Sequence, residues 1–128
     1  MQKDVKKILR SVGFALKGFA HAYRADKSFR MEIKYGLPIY IIVAYFLSPL
    51  TSLEWLFFIF SYALILLVEL INTAFEKMLD RLHPEEHELI GRSKDIAATA
   101  VLLAFIFAIV VVCVLASARF MSAYTVGG

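Results

Sequence analysis

Residues 55–80 read WLFFIFSYALILLVELINTAFEKMLD, and the boundary at Glu69 decides the fold. The run 55–68 carries no charge and reads as membrane-spanning. Glu69, Asn72, Glu76 and Asp80 then follow at steps of three, four and four. On an α-helix those steps align all four side chains along one face. A carboxylate entering hydrocarbon costs at least a few kcal/mol, so it normally faces protein, water or an ion. A helix that simply runs out into water would explain Asp80. It would not explain Glu69, because apolar Leu70, Ile71, Ala74 and Phe75 continue beyond it.

The rest of the chain is organised around that helix. Of 128 residues, 60% are apolar, and they fall into segregated blocks, which excludes an ordinary soluble domain. Residues 39–50 and 96–118 are also uncharged, and the latter exceeds the roughly 20 residues that cross a bilayer core. The first block is short, but Lys34 can snorkel and aromatic residues can anchor its ends. The sequence predicts an all-α membrane protein: a surface helix over 1–30, spanning helices over 33–50, 53–76 and 94–119, and a frayed tail at 121–128. Together these form one membrane domain, 1–128.

Charge sets the expected topology. Residues 1–34 hold nine of the 14 Lys and Arg, residues 76–95 hold four, and only Arg119 lies beyond the third apolar block. The positive-inside rule places the N-terminus and the 76–95 loop in the cytoplasm and the C-terminus outside. No signal peptide is read in the first 34 residues, which lack a compact apolar core before a cleavage site. Cys113 is the only cysteine, so no intrachain disulfide can form, and it reads as a small packing residue. Glu54, just past Ser48-Pro49, reads as an interfacial anchor and nothing more.

Val5, Ile8, Leu9, Val12, Leu16, Phe19 and Tyr23 recur at steps of three and four, with Lys3, Lys6, Lys7, Arg10 and Lys17 on other faces. This is a basic amphipathic helix suited to the membrane interface. Nucleic-acid binding is excluded as its purpose by the apolar blocks that follow. Gly36 and Pro38 predict a bend at the start of the first span, and His83-Pro84 ends the second.

The acids at 69, 76 and 80 share one depth with Asp26, Glu32, Arg30, Lys34, Lys94 and Asp95. Acids beside cationic groups at a cytoplasmic face suit a polyphosphate bound with Mg²⁺, which takes one or two carboxylates plus substrate phosphates. No GxxxxGK[ST] loop and no soluble-kinase motif is present. The residues alone specify a cytosol-facing polar site in a small helical bundle, with phosphate chemistry as one option.

Residues 68–81 (VELINTAFEKMLDR) and 87–102 (HELIGRSKDIAATAVL), with Lys17-Gly18 and the SFRME of 28–32, closely resemble the small integral-membrane diacylglycerol kinases of bacteria. The resemblance spans about residues 7 to 120. It implies a homotrimer with shared active sites in the bacterial inner membrane, working in phospholipid biosynthesis. The implied reaction moves the γ-phosphate of ATP to the primary hydroxyl of diacylglycerol, giving phosphatidic acid. Position by position, Glu69 matches the general base and Asn72 a group beside the transferring phosphoryl. Glu76 matches a Mg²⁺ ligand, as does Asp26, which stands where the family generally has a glutamate. Lys7, Glu85, Glu86, His87, Lys94 and Asp95 fall at positions matched to nucleotide contacts, as do Asp26 and Glu76. Ser28, Phe29, Arg30, Met31 and Glu32, with Glu69 and Ala98, match the lipid-substrate region. A plain salt bridge between the surface helix and the first span would also explain Arg30 and Glu32.

Three other functions compete with this one. Undecaprenol kinases are a related branch that would share the same ATP and Mg²⁺ site, although the SFRME and HELIGRSKD segments look more like the diacylglycerol enzymes. A proton or ion conduit would need polar groups in the outer half, where only Ser61, Tyr62 and Glu54 are candidates. A membrane adaptor could use Ala97, Ala98, Ala100, Ala104 and Ala108 for close helix contacts, which fit trimer assembly equally well.

Overall fold

The joint at Asp26 sets the path of the N-terminal half. The computed structural model describes all 128 residues, and no strand is formed. Helix α1 (Gln2–Ala25) ends where Asp26 turns extended, at φ −108° and ψ 121°. Helix α2 (Lys27–Met31) starts immediately after it. The surface helix expected over 1–30 is therefore two helices with a one-residue hinge. From Lys27 the backbone stays helical to Leu47, through a π turn at Glu32–Gly36 and into α3 (Leu37–Leu47). Pro38 explains the π turn, because it cannot donate to the carbonyl of Lys34 and its ring crowds that position. The Leu37 amide reaches back five residues to the Glu32 carbonyl instead. This rod of 21 residues is about 32 Å long and stops at Leu47, short of the expected residue 50.

Helices α4 (Ser52–Leu82) and α5 (Glu88–Val126) form a long antiparallel hairpin. Both are long and apolar enough to cross a membrane. At about 46 and 58 Å they exceed a hydrocarbon layer of about 30 Å, so each projects beyond it. The tail expected to fray from residue 121 stays helical to Val126. Ala104 and Ala108, one turn apart on α5, are buried against Ile65 of α4. Ala97 is half-buried and Ala98 and Ala100 are exposed, so only part of the alanine stripe serves this contact. A second cluster nearer the α3–α4 turn joins Leu47, Phe58, Val111 and Leu115.

Polar contacts brace the bundle at two further levels. Ser61 is fully buried and its hydroxyl donates to the Phe58 carbonyl at 2.7 Å. That proton is therefore committed, and the Tyr40 hydroxyl is the donor to Ser61 Oγ at 3.0 Å. Tyr62 donates to the Glu32 carbonyl at 2.9 Å, tying the π turn to α4. At the far end Thr51 and Glu54 form a capping box on α4. Arg119 reaches across from α5 to the carbonyls of Leu47 (2.9 Å) and Pro49 (2.7 Å) and to Glu54 Oε2 (2.6 Å). Glu54 is thus a brace between α4 and α5, where the sequence suggested only an anchor.

Only 13 of the 128 residues are buried. A water-soluble fold of this size hides far more, so most of this apolar surface faces something other than water. Arg119→Ala removes the three contacts that close the far end. It should lower the melting temperature in detergent by about 5 °C, read by circular dichroism. An unchanged melting curve would mean the brace contributes nothing to stability.

Candidate active site

The stripe on α4 is the centre of the site. Glu69 is 5% exposed and forms no ion pair, although the charges of Asp26, Glu32 and Glu76 all act on it. Asn72 and Glu76 are half-buried one and two turns further along. The Asn72 amide nitrogen lies 3.4 Å from Glu76 Oε1, a long contact. Its Oδ1 is buried and has no hydrogen-bond partner. An orphaned amide oxygen beside two carboxylates is costly unless a ligand, ion or water completes it.

The hinge packs against this stripe. Phe29 is fully buried and meets the Phe19 ring edge-on, with centroids 5.2 Å apart. Asp26 Oδ1 accepts the Phe29 amide at 2.8 Å and caps α2. Its Oδ2 accepts the Thr73 hydroxyl at 2.7 Å. Asp26 is therefore brought to the stripe, with both oxygens already engaged. Thr73 was not singled out in the sequence. The available signal was its spacing, four residues after Glu69 and three before Glu76 on the same face.

Arg30 donates to the carbonyls of Tyr23 (3.2 Å) and Arg24 (3.0 Å) at the end of α1. Neither Arg30 nor Glu32 forms an ion pair, which corrects the salt bridge expected between the surface helix and the first span: the guanidinium satisfies carbonyls that the end of α1 leaves open. Glu32 lies against Gly36, where an added Cβ would stand 3.0 Å from Glu32 Oε2. Glycine lets this carboxylate fold back on the π turn. Ser28 and Met31 are exposed beside it, and Ala98 is exposed on α5. An apolar cleft of about 440 Å³ opens between α3 and α5, with Met31, Glu32 and Gly36 at its lining.

A second, polar cavity of about 620 Å³ lies at the α4–α5 connection. Asp80, Glu85, Glu86, His87 and Lys94 line it. Lys94 Nζ pairs with Asp80 Oδ1 at 2.5 Å. His87 accepts the Leu89 amide on Nδ1 and caps α5, so part of its role is local. Asp95 is exposed and next in sequence to Lys94. Lys7 is not brought to either group: nineteen residues, about 28 Å of helix, separate it from the hinge. No three ligand-type side chains converge within the chain.

The family model described as prokaryotic diacylglycerol kinase matches residues 13–116. The chain is similar to the diacylglycerol kinase of Escherichia coli (strain K12), 32% identical over 114 residues, covering 89% of this chain and 92% of the relative. That of Haemophilus influenzae is 34% identical over 97 residues, covering 76% and 80%. That of Pseudomonas aeruginosa is 34% identical over 99 residues, covering 77% and 79%.

The packing of the hinge yields a direct expectation. Phe29→Ala removes the side chain that seats α1 and α2, and protease cleavage within residues 22–31 should accelerate while the α4–α5 hairpin stays protected. Cleavage at the native rate would show that Phe29 does not hold the surface helix.

Proposed function

The chain belongs to the prokaryotic diacylglycerol kinase family, and from that premise we propose that it transfers the γ-phosphate of ATP to the primary hydroxyl of diacylglycerol. The observation that carries this reading is the buried, cation-free Glu69 one turn from the orphaned Asn72 oxygen, where the uncharged run of α4 ends. Three crossings per subunit complete the proposal: α4, α5 and the continuous helical rod 27–47, with the N-terminus and the site in the cytoplasm of a bacterial inner membrane. The subunits form a homotrimer, which covers apolar surface that one chain leaves open.

Glu69 takes the proton from the lipid hydroxyl as its oxygen bonds to the γ-phosphorus. The bond from that phosphorus to the β–γ bridging oxygen breaks, and ADP leaves with the electron pair. No cation holds the Glu69 oxygens, so they are available to accept a proton. Asn72 orients the phosphoryl group without adding charge. The apolar cleft beside Met31 and Glu32 takes acyl chain, with Ser28, Phe29, Arg30 and Ala98 as the rest of the lipid region.

The donor set fits a hard divalent cation: the Glu76 carboxylate and the free Asn72 oxygen are both oxygen ligands, and phosphates supply the remainder. Mg²⁺ bound with ATP would neutralise charge on the phosphate oxygens there. Asp26 adds a second negative charge beside Glu76, its own oxygens being occupied by Phe29 and Thr73. Nucleotide enters at the polar cavity, where Lys94 exchanges Asp80 for phosphate and Asp95, Glu85, Glu86 and His87 complete the wall. Lys7 serves the nucleotide of a neighbouring subunit, since its own hinge is too distant.

The first test offers diacylglycerol and undecaprenol in parallel with MgATP in micelles. Rapid transfer to diacylglycerol is expected, and preference for undecaprenol would change the acceptor but keep the site. Glu69→Gln should lower kcat by about 10²–10⁴ while MgATP still binds, and retained turnover would remove Glu69 from the base role. Glu76→Gln should instead weaken MgATP binding, so an unchanged nucleotide affinity would contradict its assignment. Mixing Glu69→Gln subunits with Lys94→Ala subunits should restore part of the activity if sites are shared. Failure of that mixture would confine each site to one chain.

A further inference from the structure

We propose that Thr73 is a positioning residue for this reaction, latching the surface helix to the catalytic helix through Asp26. The inference rests on the phosphoryl-transfer reading and extends it to a group outside the residues assigned above. Asp26 is the single non-helical residue between α1 and α2. One of its oxygens caps α2 through the Phe29 amide and the other receives the Thr73 hydroxyl at 2.7 Å. A single carboxylate therefore fixes the angle of the hinge and its attachment to α4. Thr73 is 5% exposed, next in sequence to Asn72 and one turn from both Glu69 and Glu76. Its hydroxyl has no other partner, so the hinge is what satisfies it.

The remaining contacts between the surface helix and α4 are apolar and incomplete. Phe29 and Ala22 are the only buried residues of α1 and α2. Between α1 and α4 a groove of about 650 Å³ stays open, with Val12, Leu16, Phe19 and Leu70 among its lining residues and Thr73 at its wall. Apolar contact alone leaves α1 free to rotate or lift, because lipid tails solvate its apolar face as well as α4 does. A directional hydrogen bond fixes one geometry. The latch lies one turn from Glu69, whereas the Asp80–Lys94 pair is seven residues, about 10 Å, further along α4. Its loss should therefore be felt by the lipid hydroxyl that approaches Glu69 and by the MgATP held at Glu76, and much less at the Asp80–Lys94 pair.

The test uses the full chain in micelles, with Thr73→Val, which replaces the hydroxyl by a methyl of the same shape, and Thr73→Ser, which keeps the hydroxyl. Amide hydrogen exchange over residues 26–30 should be about five-fold faster in Thr73→Val, as expected for one lost hydrogen bond, while residues 104–115 keep native exchange. The KM for diacylglycerol and the KM for MgATP should each rise by about five-fold. Thr73→Ser should restore both. Native exchange in Thr73→Val would overturn the latch. A fall in kcat with both KM values unchanged, not rescued by serine, would show only a packing role and would also overturn it. A native chain that phosphorylates no diacylglycerol would overturn the kinase reading and the positioning role together. Native turnover with an unaltered Thr73→Val profile would overturn the role of Thr73 alone.

Discussion

Everything in this fold is arranged around a carboxylate buried where an apolar helix leaves the membrane. Glu69 cannot face lipid without a cost of at least a few kcal/mol, and α4 alone offers it no shelter. The shelter comes from the N-terminal quarter of the chain, turned back by the Asp26 hinge and seated on α4 by Phe29. The hinge brings its own acid to α4, where Asp26 meets Thr73 one turn from Glu69. The buried Asn72 oxygen on the same helix is left without a partner, and a ligand, ion or water would complete it.

The outer half of the bundle is built on the opposite principle. Its polar groups are few and each is consumed by another part of the protein. Ser61 is taken by Phe58 and Tyr40, Tyr62 by the Glu32 carbonyl, and Glu54 by Thr51 and Arg119. A conduit needs groups that can change partners along the path, and these are committed to holding helices together. Rigid bracing at the α3–α4 end and open valences near Glu69 fit a site that works at one end of the bundle.

The helical class and the stripe were legible because both follow from periodicity. The uncharged runs at 55–68 and 96–118 could only be helices in lipid, and the 69, 72, 76, 80 spacing put four polar groups on one face. What stayed hidden depended on pairings between distant segments. Arg119 lies 65 residues from Glu54, and Thr73 lies 47 from Asp26, and no local pattern announces either contact. The break at Asp26 was also concealed, because the apolar spacing of α1 runs smoothly up to Tyr23 and no proline or glycine in residues 24–31 marks the joint. The tail misled for a related reason: small and polar residues after Met121 weaken the apolar signal but do not stop a helix that lacks a proline.

The position of Asp26 shows how one side chain can carry a fold constraint and a functional one together. An aspartate is among the best helix caps because its short side chain reaches the amide three residues ahead. That reach leaves Oδ2 directed at α4, where Thr73 meets it. The carboxylate is thereby fixed against Thr73 on α4 instead of sweeping a volume on a longer, looser stem. Preorganised charge costs no rearrangement when a cation and its phosphates arrive. A hinge residue at this point thus does more than redirect the chain, since the same two hydrogen bonds that set the angle of the surface helix also fix a carboxylate against α4 one turn from Glu69.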